Sequence, residues 1–208
     1  MGRRPALDVQ QLIDAAARVF ERRGYTDATL AHIAAEAGVS KPTVYQYVKS
    51  KQQLLETIVE QVVYPLRDGI DQIVKSDRAA IDKLGAYIEL HVLSAIRYQP
   101  YYVVLTSDQH QLSPQALRRY QSWARTVNDA ATELLQQGRR EGAVRSDIDI
   151  PIAVNLLNST LTSIARWYRP GDRAQPDEIV AEVGKYLSGL ILAASPRHGA
   201  QILSAQSS

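Results

Sequence analysis

Between Thr29 and Lys51 the chain reads TLAHIAAEAGVSKPTVYQYVKSK. Its polar side chains suit hydrogen bonding rather than covalent chemistry. Ser40, Lys41, Pro42, Thr43, Tyr45, Gln46 and Tyr47 follow one another closely, with Thr29 before them and Lys51 after. Hydroxyls, an amide and an ammonium in so short a run can contact base edges and backbone phosphates. The residue types of catalysis are absent or dispersed. There is no cysteine, which removes disulfides, thiolate metal sites and thiol nucleophiles. His32, His91, His110 and His198 are scattered, none paired with another at ligand spacing. No phosphate-binding glycine loop, nucleophile elbow or H-E-x-x-H occurs. Asp147 and Asp149 stand beside Arg145 and read as solvated carboxylates. No enzyme, metal or cofactor is expected.

Two short helices are needed to present these residues. Thr29 can cap the first, and Leu30, Ile33, Ala34 and Ala37 then share one apolar face. Gly38 ends it and Val39 fills the turn. Ser40 caps the second helix, with Pro42 in its first turn. Val44 and Val48 point inward, which leaves Lys41, Thr43, Tyr45, Gln46 and Tyr47 outward or on the flanks. Small alanines and a glycine turn favour helix-turn-helix geometry, whose second helix enters the major groove. The alternative is an ordinary helical corner with solvated polar residues. A preceding helix over about Asp8–Arg23, with Val9, Leu12, Ile13, Ala16, Ala17 and Phe20 inward and Asp8-x-x-Gln11 as its cap, buttresses the pair. Tyr25 is expected in the same small core. Lys51, opening the next helix, is placed for a backbone phosphate.

Residues 8–51 resemble the DNA-binding domain of the TetR family of bacterial regulators. Phe20 and Gly24 match its F-x-x-x-G; Thr29, Ile33, Ala34, Ala37, Gly38, Val39 and Ser40 match T-x-x-x-I-A-x-x-A-G-V-S. Ser50, Lys51, Leu54 and Leu55 match the S-K-x-x-L-L step. The usual tyrosine-histidine-phenylalanine run is replaced by Gln46, Tyr47 and Val48, so the resemblance does not carry an operator sequence.

Charge is distributed in keeping with that. Residues 1–51 hold eight Lys/Arg against five Asp/Glu, while the remainder holds 16 against 17. The basic segment coincides with the helix-turn-helix. Arg3 and Arg4 form a short arm that is either solvated or reaches a minor groove. Neither a signal peptide nor a membrane span is apparent, so a cytoplasmic protein with no membrane partner is expected.

Beyond residue 51 the periodicity stays helical. Ser50-x-x-Gln53 caps a helix that Pro65 must kink or break. Further helices are expected around Ile81–Ile96, Tyr101–His110, Ser113–Glu141, Pro151–Tyr168 and Pro176–Ala194. The fold class is all-α with about nine helices: residues 1–51 for DNA, 52–195 for ligand binding and dimerisation, and 196–208 as a flexible tail. The last helix is apolar over too wide an arc for one solvent face, so either a two-fold partner or the monomer interior covers it.

Asn155, Asn158, Ser159 and Thr162 give the penultimate helix a polar face, and Trp123 and Trp167 add aromatic surface. These aromatics read as core or as ligand contacts. The stretch Gly138–Leu192, and within it Arg166-Trp167-Tyr168-Arg169-Pro170-Gly171, is similar to the C-terminal half of TetR-type repressors of steroid or fatty-acid breakdown. That resemblance implies release by an acyl-CoA thioester, with arginines on phosphate and Trp167 along the acyl chain. The expected ligand residues are Trp123, Asn158, Thr162, Arg166 and Trp167. An unrelated hydrophobic drug-like effector is the alternative. The function expected is a homodimeric repressor that binds a palindromic double-stranded operator and leaves it when a small-molecule effector binds.

Overall fold

A computed structural model describes residues 8–169, 171 and 174–193. Arg3, Arg4, Pro170, Asp172 and the tail 196–208 lie outside the described residues. Among those described there are nine α-helices: α1 Val9–Asp27, α2 Leu30–Glu36, α3 Lys41–Tyr47, α4 Lys51–Lys75, α5 Ala80–Arg97, α6 Gln99–Asp108, α7 Pro114–Arg140, α8 Ile150–Trp167 and α9 Pro176–Ile191. One 3-10 turn, Gln109–Gln111, precedes α7. No strand occurs among the described residues, and a single bridge joins Val144 to Leu192. No helix there is long and apolar enough to cross a membrane.

Side-chain caps set most helix starts. The Asp8 carboxylate accepts from the Gln10 backbone at 3.0 Å, one residue short of the expected Gln11 partner. Thr29, Ser40, Ser50 and Ser113 each accept a backbone N–H three residues on, answering donors that have no intrahelical acceptor. Positive φ at Gly24 (74°) kinks α1 near its end, and positive φ at Gly38 (66°) turns the chain after α2. An added Cβ would meet nothing at either position. What selects glycine there is the left-handed backbone itself, not space.

The three N-terminal helices close over Leu12, Phe20, Ile33 and Val44, which meet Leu54, Leu55 and Ile58 of α4. Each such side chain contributes about 1.5–3 kcal/mol by leaving water. Val9 does not join them; it stands exposed on the first turn, where no helix covers it. The larger half wraps α5, which touches α4, α7, α8 and α9, while α6 lies between α1, α4 and α8. Pro65 does not break α4, which runs continuously through it. The ring faces solvent, so the carbonyl it strands one turn back can be hydrated.

Candidate nucleic-acid interface and effector grooves

The α2–α3 corner is built from α1 outward. Glu36 at the end of α2 takes a hydrogen bond from Arg18 Nε at 2.8 Å and another from Arg22 of α1. Those two guanidinium bonds hold its carboxyl below the usual carboxylate range. Ile33 and Val44 are fully buried beneath the corner, so the crossing of the two helices is fixed by packing. The outer face of α3 carries Lys41, Pro42, Tyr45 and Gln46, all exposed, with Thr43 and Tyr47 half-buried on its flanks. The Lys41 ammonium lies 6.0 Å from the Tyr45 ring centroid. An α-helix with its side chains is about 10–12 Å across, which a major groove about 12 Å wide accommodates.

Two of the expected hydroxyl contacts already have a structural role. Thr29 Oγ1 accepts from His32 N–H, and Ser40 Oγ accepts from Thr43 N–H while sharing a 2.7 Å bond with the Thr43 hydroxyl. Lys51 departs furthest from expectation. Its Nζ donates to the carbonyls of Tyr25 (2.5 Å), Thr26 (3.1 Å) and Ala28 (2.8 Å), and lies 4.3 Å from the Tyr25 ring centroid. An ammonium has three N–H donors, and all are used inside the chain.

The expected ligand residues fall in three places. Asn158, Thr162 and Arg166 line an open groove of about 460 Å³ between α7 and α8, with Asn128, Asn155 and Ser159. Asn158 organises it. Its Oδ1 accepts from the Tyr87 hydroxyl at 2.7 Å, its Nδ2 donates to Asn128 Oδ1 at 2.8 Å, and its main-chain carbonyl takes the Thr162 hydroxyl at 2.7 Å. Behind it, burial raises the Tyr87 pKa. Burial also lowers the pKa of His91, whose ring is tilted 39° to that of Tyr87 at a centroid distance of 4.2 Å, to about 4. Trp167 is not inside a channel; it is 53% exposed on the outer face of α8 with Ile152 and Leu156, and α9 likewise exposes Tyr186 and Leu190.

Trp123 belongs elsewhere, because α7 turns it toward α4. It lines two adjoining grooves there, with Val63, Tyr64 and Arg67 in one and Ile70, Asp71 and Val74 in the other. Its indole N–H is buried without a partner. Among the described residues no cluster of three or more His, Asp or Glu could hold a metal ion. Sequence reasoning missed Tyr87 and Asn128, the two anchors of the α8 groove. Tyr87 hides in the apolar run Leu84, Ile88, His91, where nothing separates a hydrogen-bonding tyrosine from core.

Residues 12–58 match the family model for bacterial regulatory proteins of the tetR family, and residues 77–191 match that for the tetracyclin repressor-like C-terminal domain. The chain belongs to the TetR family. It is therefore a transcription regulator and not an enzyme. It is 26% identical over 180 residues to the HTH-type transcriptional repressor KstR2 of Mycolicibacterium smegmatis, covering 84% of this chain and 86% of that protein. The structure of the ketosteroid regulator KstR2 of Mycobacterium tuberculosis superposes with a TM-score of 0.84 at 21% identity, over 92% of this chain and all of the other. AibR in complex with isovaleryl coenzyme A and operator DNA superposes at 0.72 and 18% identity, over 87% and 96% of the two chains. The TetR fold and the all-α architecture expected from sequence both hold.

Proposed function

We propose that this TetR-family regulator is a homodimeric repressor that holds a palindromic operator through α3 and releases it on binding an acyl-CoA thioester. The observation carrying the DNA contact is the division of α3: Val44 is sealed inside while Lys41, Tyr45 and Gln46 face solvent. The exposed apolar strip of α8 and α9 supports the dimer. Ile152, Leu156 and Trp167 lie within one arc of α8, and pairing two such faces would bury them. Two linked readers then suit half-sites about one helical turn apart.

The effector class rests on the α8 groove and on relatives. Arg166 stands at the end of a row of amides and hydroxyls, a donor set that suits a phosphate-bearing carrier. KstR2 is named a repressor and AibR was solved with an acyl-coenzyme A and its operator. The test is an anisotropy titration with DNA from upstream of the chain's own gene. Tyr45→Ala lowers affinity roughly tenfold without changing Tm. Acyl-coenzyme A of graded chain length releases the wild-type protein, and Arg166→Ala resists release. Full affinity in Tyr45→Ala contradicts the α3 contact, and indifference to every acyl-coenzyme A contradicts the effector class.

A further inference from the structure

Lys51 is the first residue of α4, and the three carbonyls it binds lie past the Gly24 kink, two in the last turn of α1 and one at Ala28 in the link to α2. Its position explains what that link lacks. Gly24, at φ 74°, breaks the α-helical path, so the carbonyls that follow do not join a regular run of helical N–H donors. They converge instead on one ammonium. The Tyr25 ring closes the cradle, packing edge-on against Phe20 at 5.3 Å and facing the ammonium. The link ends at Ala28, which is buried, and Thr29 then caps α2. Whatever holds residues 25–28 therefore sets where α2 starts, and α2 carries α3. Asp108, the last residue of α6, faces the same peptide. Burial raises its carboxyl pKa, and the Tyr25 backbone N–H and the charges of His110 and Lys51 draw it back.

We propose that Lys51 is a positioning residue for DNA reading and not a phosphate contact: by gathering the Tyr25, Thr26 and Ala28 carbonyls it clasps the start of α4 to the base of the helix-turn-helix. This goes beyond the DNA-binding reading while resting on it. A phosphate could recruit Lys51 only by breaking the cradle. Arginine would keep the charge but presents a flat fork, which does not match three carbonyls converging on one point.

The first test uses the unaltered full-length protein without DNA. Brief amine acylation followed by peptide mass spectrometry should label Lys41 and Lys49 and spare Lys51, with the same sparing when operator is added. Labelling of Lys51 at the rate of Lys49, with protection appearing only on DNA, overturns the proposal. Because the DNA-free arm involves no operator, it can fail while the regulator reading stands, and the reverse also holds. The second test measures operator affinity against salt. Lys51→Arg and Lys51→Met should each bind about tenfold or more weakly, with the slope of log K against log salt unchanged. A lost phosphate contact would lower that slope by about 0.9 and would spare the arginine variant. The Tyr45→Ala penalty should also shrink in the Lys51→Met background, because a displaced α3 has less contact to lose. An undiminished penalty reduces Lys51 to a stability role, and wild-type affinity in Lys51→Arg refutes the clasp.

Discussion

Replacing Leu156 by aspartate isolates the proposed dimer from the fold. The side chain is 61% exposed in the single chain, so the helix packs without it and the monomer loses little. Full burial of a leucine is worth about 1.5–3 kcal/mol. Burying the exposed part therefore yields roughly 1–2 kcal/mol per copy, and two-fold symmetry doubles that to roughly 2–4 kcal/mol. Removing it should raise the dimer dissociation constant by about 30- to 1,000-fold. The aspartate adds to the loss, since two carboxylates would be desolvated near each other with no partner. Sedimentation velocity over nanomolar to micromolar protein reads the change, with circular dichroism to confirm that helix content is kept. Tyr64→Asp, which places the same charge on an exposed aromatic of α4, serves as control and should leave the dimer intact. If Leu156→Asp sediments as the wild type does, the α8 strip is not the interface and the half-site argument loses its basis.

Acid should weaken the protein through His91. Its pKa is about 4 when folded and about 6.5 when unfolded, so between those values the unfolded chain takes the proton and the native one does not. Stability is then complete above pH 6.5 and falls as pH drops toward 4, by up to about 3 kcal/mol. His91→Phe should flatten that limb in a series of thermal melts from pH 7 to 4.5; parallel wild-type and variant curves refute it. Gly138→Ala would set a Cβ 2.6 Å from Val144 Cγ2 and 3.5 Å from Ala80 Cβ. Val144 is stiff at χ1 and bridged to Leu192, so overpacking should cost about 1–3 kcal/mol and lower Tm by roughly 3–10 °C. An unchanged calorimetric midpoint would mean that this corner relaxes freely.

What the sequence disclosed was what lies within one turn of helix. Thr29, Ser40 and Ser50 cap as read because a hydroxyl and the N–H it binds are three residues apart. The α8 row Asn155, Asn158, Ser159, Thr162 was legible for the same reason, since its spacing places it on one face; Arg166 entered through the family resemblance. Contacts between helices were not legible. Lys51 looked free because its three acceptors lie more than twenty residues upstream. Trp123 was grouped with the α8 residues by composition, and only the rotation of α7 assigns it to α4. Pro65 was expected to kink or break α4; the helix is not broken there, and whether a proline breaks a helix depends on whether its face is solvated, which periodicity does not reveal. Helix α6 gave a weak pattern since both its sides are covered, by α1 on one and by α8 on another.

That double coverage of α6 bears on how an effector could reach the DNA. Gln99, buried at its start, spends both amide protons across the two halves: Nε2 donates to Glu21 Oε1 of α1 and to the Ala165 carbonyl of α8, each at 3.0 Å. The Tyr101 hydroxyl donates to Asp14 of α1 and accepts from Gln10 Nε2 at 3.0 Å. Thus α8, which holds the polar groove and the proposed dimer face, is tied through one rigid helix to the helix that carries the reader. Interiors this dense transmit displacement instead of absorbing it. An effector need only bind better to the conformer in which α8 has moved. The displacement required is small, because phosphates repeat about every 3.4 Å along a strand. In the proposed dimer, a change of that size in the separation of the two α3 helices moves one reader a full base step out of register while the other stays in place.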